Sequence, residues 1–353
     1  MSELKRRLQR AIRHDGPMSV AAFMAMCLHD REHGYYATRP GLGRDFTTAP
    51  EISQVFGELL GGWAVHEWQA MGSPAQFDLI ELGPGRGAMM GDMLRTAGMA
   101  PDFLSAMQLR LVEASPALRA VQLEVLGAHN PTHHAGLEEI PPGPALIIAN
   151  EFLDCLPVRQ FVVDGDKWRE RQVGFGDNEE LAFGLGPTLE PMLDIGAADA
   201  VELAAGLEAV IEVVAGRLKA NGGRALFIDY GPGDAHPTDT LRAFKAGAQV
   251  DPLAEPGACD MTADVDFLTL RATAEAAGVV AFGPVPQGGF LMSLGAAQRA
   301  EQLARANPAT ADQIIAAVEK LVAPDDMGER FKVTCLAPDG APAPAGFAVA
   351  GMS

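Results

Sequence analysis

The sequence predicts an α/β chain built on a mainly parallel, doubly wound sheet. Three observations carry this. From residue 77 onward, apolar runs of strand length alternate with helical stretches in the order βαβαβ…αβ. One such run, "FDLIEL", leads into a glycine turn and a helix start, "GPGRGAMM". Two further runs, "ALIIANEF" and "RALFIDYG", read as buried strands.

The elements follow in order. Leu4, Leu8 and Ile12 recur every four residues, as on one face of a short amphipathic helix. "PMSVAAFMAMCLHD" is a second helix with Ser19 as its cap. "TRPGLGRDFTTAP" is a loop, and "EISQVFGELLGGWAVHEWQAM" is a helix with Ile52, Val55, Phe56, Leu59 and Leu60 on its apolar face. Strand "FDLIEL", helix "AMMGDMLRTA", strand "MQLRLVEA", helix "PALRAVQLEVL" and strand "ALIIANEF" come next. Around Asp164-Gly165, "RQFVVDGDKWRERQVGFG" alternates as a hairpin does. "AVELAAGLEAVIEVVAGRLKA" reads as one long helix ended by Gly222. Residues 234–265 read as irregular, and "DFLTLRATAEAAG" as a helix. The tail holds helices at 296–306 and 308–322, the strand "ERFKVTCLA", and a low-complexity surface loop, "APDGAPAPAG".

Composition narrows the function classes. The chain has 353 residues, 48% apolar and 21% charged, in the range of globular proteins. No apolar run reaches the ~18 residues of a membrane helix. A formal net charge of −19 argues against nucleic acid as a partner and suits a basic protein substrate. Cys27, Cys155, Cys259 and Cys335 lie far apart, as reduced thiols do in a reducing compartment. The basic N-terminus carries Glu3 and Asp15 and has no serine-rich run, which argues against a transit peptide.

The glycine turn raises the central question. Gly83, Gly85 and Gly87 fit a G-x-G-x-G turn, and with Ala88 they also fit the dinucleotide pattern. Glu81 separates the two. A diphosphate would be repelled by a carboxylate there, whereas S-adenosylmethionine (SAM) brings a cationic sulfonium and an ammonium. Glu113, about thirty positions past the turn, suits two vicinal ribose hydroxyls of either cofactor. Pro84, Ala114, Leu137 and Asn150 complete the expected cofactor set. At the strand end "IIANEFLDCLPVR", Asn150, Glu151 and Asp154 gather where a doubly wound sheet binds ligands. Paired carboxylates there suit a guanidinium methyl acceptor.

These blocks resemble one family throughout. "HGYYATRPGLGRDFTTAPEISQVFGELLG", "IELGPGRG", "NEFLDCLPVRQF", "FIDYGP", "PGACDMTADVDFLTL", "FLMSLG" and "MGERFKV" resemble the complex I assembly factor 7 (MidA-like) family of SAM-dependent methyltransferases, from about residue 5 to 350. The resemblance implies a Rossmann-like methyltransferase fold with an N-terminal helical extension and insertions, and SAM as cofactor. For the mitochondrial members it implies methylation of an arginine on a core subunit of respiratory complex I. It assigns the SAM turn to Gly83, Gly85 and Gly87 and the ribose acid to Glu113. The acceptor role of Glu151, assisted by Asp154 and Asn150, is inferred from position. The expected division is an N-terminal helical or lid region at 1–76, then a methyltransferase domain at 77–353 with insertions at about 155–200 and 234–265. Thr47, Thr48, Pro50, Glu51 and Gln54 are expected to form a lid. Asp229 and Tyr230 are expected to face the same crevice. A bacterial-type chain of this kind is expected in the cytoplasm.

Other signals are set aside. "HDREH" matches H-x-x-E-H, but Gly34 follows at once and no third ligand is identifiable, so no metal is expected. His133-His134 is expected to be solvated in a polar connection. Two rival functions remain open: a SAM-binding assembly factor with little turnover, and a nicotinamide-dependent dehydrogenase.

Overall fold

The computed structural model describes residues 2–38, 48–165, 167–189 and 199–347. The chain divides into two compact units. The first comprises Met1–Phe46, Leu153–Glu208 and Asp234–Thr269, and the second Thr47–Phe152, Ala209–Gly233 and Leu270–Ser353. The segments read from sequence as insertions therefore fall in one unit with the N-terminal helices. The helix Gln54–Ala70, read as part of the N-terminal region, falls in the other.

The second unit holds a seven-stranded sheet: β1 (Phe77–Leu82), β2 (Met107–Val112), β3 (Thr132–His134), β4 (Ala145–Asn150), β5 (Gly223–Tyr230), β6 (Val279–Pro286) and β7 (Phe331–Pro338). Their spatial order is β6-β7-β5-β4-β1-β2-β3. Strands β3, β2, β1, β4 and β5 run parallel. Strand β7 is antiparallel to both β5 and β6. Every residue of β1, β4 and β5 is buried, as expected for parallel strands covered on both faces. The strand order reverses beside β1, which marks the switch point where such sheets bind ligands.

Register decides what meets there. Leu82 of β1 pairs with Val112 of β2 and with Ala149 of β4. Ile228 of β5 pairs with Asn150. Gly83, Glu113 and Glu151 thus follow the carboxyl ends of β1, β2 and β4, and Asp229 lies one residue before that of β5. Helix Gln54–Ala70 packs closely on helix Ala88–Ala97 because Gly57 and Gly61 face it without side chains. A Cβ on Gly57 would lie 2.8 Å from the Met89 carbonyl oxygen, and one on Gly61 would lie 2.5 Å from that of Met93. Phe56, Leu60 and Trp63 then join Met89, Met90 and Met93 in one core. Glu58, buried on the first helix, accepts two bonds from Arg299 at 2.7 and 3.1 Å and one from Arg95 at 3.0 Å.

The first unit packs Leu4, Leu8, Phe23, Met24 and Leu28 of helices Glu3–Asp15 and Val20–His29 with Val158 and Val173. The expected hairpin is present, with Asp164 paired to Lys167. Ser19 caps the second helix, its hydroxyl accepting from Ala22 N–H at 3.1 Å. Ser19→Ala should cost about 1 kcal/mol, read as a lower urea midpoint.

Three sequence expectations change. Residues Ala200–Ala204, expected as helix, form a strand paired with Val158–Val162, and the helix starts only at Leu207. Gly206, at φ +102°, turns the chain between them. Glu202 on that strand is buried and accepts from Gln160, Leu241 N–H, Thr240 N–H and the Thr240 hydroxyl, bonds that helix geometry would not supply. The stretch 234–265, expected as irregular, carries a three-stranded sheet of Arg242–Lys245, Ala248–Val250 and Asp260–Thr262. The helix expected across 51–71 is broken: Ala49–Ile52 forms one turn, and Ser53 then caps Gln54–Ala70.

Candidate active site

The glycine turn leaves β1 with Gly83, Gly85 and Gly87 at φ +64°, +53° and +82°. Three left-handed residues within five positions are accessible only to glycine without strain. Gly83 N–H donates to Val112 O at 3.0 Å, and Gly87 N–H to Pro84 O at 2.8 Å. A Cβ on Gly83 would also lie 2.9 Å from Phe152 Cδ2. The helix Ala88–Ala97 begins directly after this turn, so its free N–H groups open onto it.

Glu81 is 2% exposed. Burial, with the nearby Glu113 charge adding to it, pushes its carboxyl up to about 8. The sequence reading treats Glu81 as a standing negative charge. The structure makes it a carboxyl that is neutral at pH 7 until a cation approaches. Its Oε2 has no hydrogen-bond partner among the described residues, and neither has Oδ1 of the buried Asn150 on the neighbouring strand β4. Two unpartnered buried polar atoms at adjacent strand ends call for a polar ligand, and one that is cationic would draw the proton off Glu81 and leave both as acceptors.

Glu113 directly follows β2 in a polar frame. Ser115 N–H donates to its Oε1 at 2.7 Å and Gln122 Nε2 to its Oε2 at 3.2 Å. Burial raises its carboxyl, opposed by Ser115, Gln122, Arg119 and Ala114 N–H. A carboxylate offers about four acceptor positions, so the bonds from Ser115, Gln122 and Ala114 leave capacity for a ligand hydroxyl. Leu137 is buried just beyond β3.

Glu151 directly follows β4 at φ +50°, a left-handed position for a residue with a side chain. Such strain concentrates at functional sites. Its Oε1 accepts from Ala49 N–H and from Asn150 Nδ2, each at 3.1 Å. Asp229 is buried after Ile228 and accepts from Phe152 N–H at 3.1 Å and Tyr230 N–H at 3.0 Å. It therefore holds the backbone that presents Glu151. The Tyr230 ring packs on Phe331 with centroids 5.2 Å apart, and the Arg330 guanidinium lies 5.1 Å above it.

The residues expected to form a lid are described from Thr48 onward. Thr47 lies outside the described residues. Thr48 precedes the turn Ala49–Ile52 and makes no side-chain cap bond. Pro50 sits at the start of that turn, and Glu151 supplies the cap to Ala49 N–H instead. Partial desolvation raises the Glu51 carboxyl, and the Arg86 guanidinium of the glycine turn opposes it. Gln54 donates to Glu58 at 3.1 Å, part of the ion network described above. Asp154 belongs to the first unit, where its Oδ2 accepts from the Thr262 hydroxyl at 2.8 Å and its carbonyl from Ala263 N–H.

The geometry bears on two histidine readings. His134, expected to be solvated, is buried in edge strand β3 because that strand pairs with β2. His29 ends its helix, with Nε2 3.4 Å from the Cys155 carbonyl oxygen, so it shares no helix face with His33. Among the described residues no cluster of His, Cys, Asp and Glu is grouped to hold a metal.

The sequence reading missed Gln122 and Ala49. Gln122 is fully buried in helix Pro116–Leu126. A signal existed: it stands between Leu118 and Leu126 at four-residue spacing, a polar residue on an apolar stripe. Ala49 contacts Glu151 through its backbone, which no side-chain pattern announces.

A Rossmann-type sheet, a helix-opening glycine turn and a buried acid just past the next strand are the features of a nucleoside-cofactor enzyme. A family model of S-adenosyl-L-methionine-dependent methyltransferases matches residues 59–285, and the chain belongs to that family. It is 37% identical over 350 residues to the Danio rerio protein named protein arginine methyltransferase NDUFAF7, mitochondrial, covering 90% of this chain and 82% of that one. The Homo sapiens protein of the same name is 36% identical over 372 residues, covering 96% and 84%. A Burkholderia thailandensis protein crystallised with S-adenosyl-homocysteine superposes with a TM-score of 0.85 at 25% identity, covering 98% of this chain and 94% of that one. The enzyme is a SAM-dependent methyltransferase, and the choice that the glycines left open falls to SAM rather than a nicotinamide cofactor.

The residues present fit that cofactor. The orphaned Glu81 Oε2 and Asn150 Oδ1 match a donor-rich cation. Glu113 retains acceptor capacity for a ribose, and the helix start after Gly87 suits a carboxylate.

Proposed function

We propose that this enzyme methylates an arginine side chain of a protein, with a core subunit of respiratory complex I as the target. The observation that carries the reading is Glu151, a carboxylate fixed at the strand end beside the cofactor turn. The printed names of relatives 36–37% identical over at least 90% of this chain support it. Bound SAM supplies a methyl group on a cationic sulfur that is open to in-line displacement.

The protein's own work is positioning. The acceptor nitrogen must come within ~3–3.5 Å of the methyl carbon, in line with the departing sulfur. A guanidinium is a weak nucleophile because its lone pairs are delocalised. Glu151 draws charge onto one nitrogen and leaves another more reactive, and Asn150 holds the Glu151 carboxylate by its Nδ2 donation. Asp154 is proposed as the assisting carboxylate on sequence grounds. Thr48, Pro50, Glu51 and Gln54, together with Thr47, are proposed as the lid that excludes water. Asp229 and Tyr230 are proposed to shape the acceptor side. The substrate is a protein, with nucleic acid disfavoured by the acidic charge. No helix among the described residues is long and apolar enough to cross a membrane. A cytoplasmic location is proposed, in keeping with the four free cysteines.

One observation favours a second reading, binding and assembly without turnover: Glu151 Oε1 already accepts two hydrogen bonds. Mass spectrometry of complex I subunits from cells with and without the gene separates the two. A methylated arginine that disappears with the gene is the expected result. An unchanged methylation pattern beside defective assembly would move the function to the second reading.

A further inference from the structure

Two loops make the cofactor cradle: the glycine turn after β1 and the Glu113 segment after β2. Gln122 reaches both. Its Nε2 donates to Gly85 O at 2.7 Å and to Glu113 Oε2 at 3.2 Å. The two amide hydrogens are thereby used, one on each loop. Its Oε1 lies 2.9 Å from His133 Nε2. The amide orientation follows from chemistry, since a flipped group would aim its oxygen at two acceptors. Oε1 must then accept, so His133 carries its proton on Nε2. Burial, with the Arg119 and His134 charges adding to it, holds the His133 ring below its usual range, in keeping with a neutral Nε2–H tautomer.

We propose that Gln122 is a positioning residue for SAM: it sets the distance between the glycine turn and the ribose acid, and His133 fixes its amide. The inference rests on the SAM reading of the site. Gln122 acts on the cofactor through Glu113 and Gly85. Ser115 N–H fixes the other carboxylate oxygen of Glu113, and Arg119 Nε donates to its carbonyl at 2.7 Å. Gln122 alone of these joins Glu113 to the turn. Without it, Glu113 keeps its place in the chain but loses the donor that orients Oε2 toward the turn.

The test is calorimetric binding of S-adenosylhomocysteine and of its 2′-deoxyribose analogue to wild type, Gln122→Met and His133→Leu. Methionine keeps the length of the side chain and removes its polar atoms. Gln122→Met should weaken S-adenosylhomocysteine about 10- to 100-fold, the usual worth of a hydrogen bond to a charged group. The loss for the deoxy analogue should be smaller by at least about fivefold, because that ligand draws less on Glu113. His133→Leu should shift both affinities in the same pattern by about threefold. This second variant carries the test if Gln122→Met does not melt cooperatively. Equal losses for the two ligands, or no loss, would overturn the role of Gln122 while leaving the cofactor intact. A wild type that binds neither ligand would instead remove the SAM reading itself.

Discussion

Glu151→Gln should bind SAM as tightly as the wild type and transfer its methyl group about 10²- to 10³-fold more slowly. The substitution is nearly isosteric. A glutamine carbonyl oxygen can take the place of Oε1 and still accept from Ala49 N–H and Asn150 Nδ2, so the turn Ala49–Ile52 stays capped. What changes is the charge. A neutral amide cannot pair with a guanidinium or localise its positive charge, so the acceptor loses both orientation and reactivity. Glu151→Ala is the contrasting variant. It also removes the cap of the turn Ala49–Ile52, which is proposed as part of a lid, and should raise KM for the acceptor along with lowering kcat. Single-turnover transfer from tritiated SAM, beside calorimetric binding of S-adenosylhomocysteine, separates the two effects. Wild-type turnover in Glu151→Gln would take the acceptor role away from this residue.

Glu151 also shows how far a sequence can be read. Its place at the end of "IIAN" was legible because β4 is a continuous apolar run, and such runs end where a doubly wound sheet opens. The same logic located Glu81, Glu113 and Asp229. Its left-handed backbone and its bond to Ala49 were not legible, since both arise from packing between distant segments. Strand Ala200–Ala204 was misread for a related reason. "AVELAAGLEAV" continues a helical pattern, and only pairing with Val158–Val162, some forty residues earlier, makes it a strand. Strand β6, "VVAFGPVP", has no place among the sequence expectations, since Gly283-Pro284 interrupts its apolar run. It is an edge strand whose register shifts between Phe282 and Val285, where a proline is tolerated. The strands of 242–262 span only three or four residues each, too few for a period to show. Gln122 stood midway: its place on an apolar stripe was visible, but its partners were not.

The charge state of Glu81 was the least legible feature and has a large expected consequence. In the folded, ligand-free protein its carboxyl is raised from 4.5 to about 8. The stability contributed by the protonated form is then fully present below pH 4.5 and is lost as pH rises through 8. Between pH 6 and pH 9 this one group should cost the wild type about 2–3 kcal/mol. Glu81→Gln stays neutral at both ends, so ligand-free Glu81→Gln should lose that much less over the same interval in parallel urea titrations. The same substitution should weaken S-adenosylmethionine about 30- to 100-fold, because a buried charge that meets a cation is replaced by an amide. The two effects have one origin. A buried acid held neutral by its surroundings releases its proton when a sulfonium and an ammonium arrive, and a diphosphate would instead bind it tighter. Wild-type protein at pH 7 should therefore release close to one proton per SAM bound, measured by calorimetry in buffers of different ionisation enthalpy, and Glu81→Gln should release close to none. Equal proton release and equal pH slopes in the two proteins would show that Glu81 is not the group that selects a cationic cofactor.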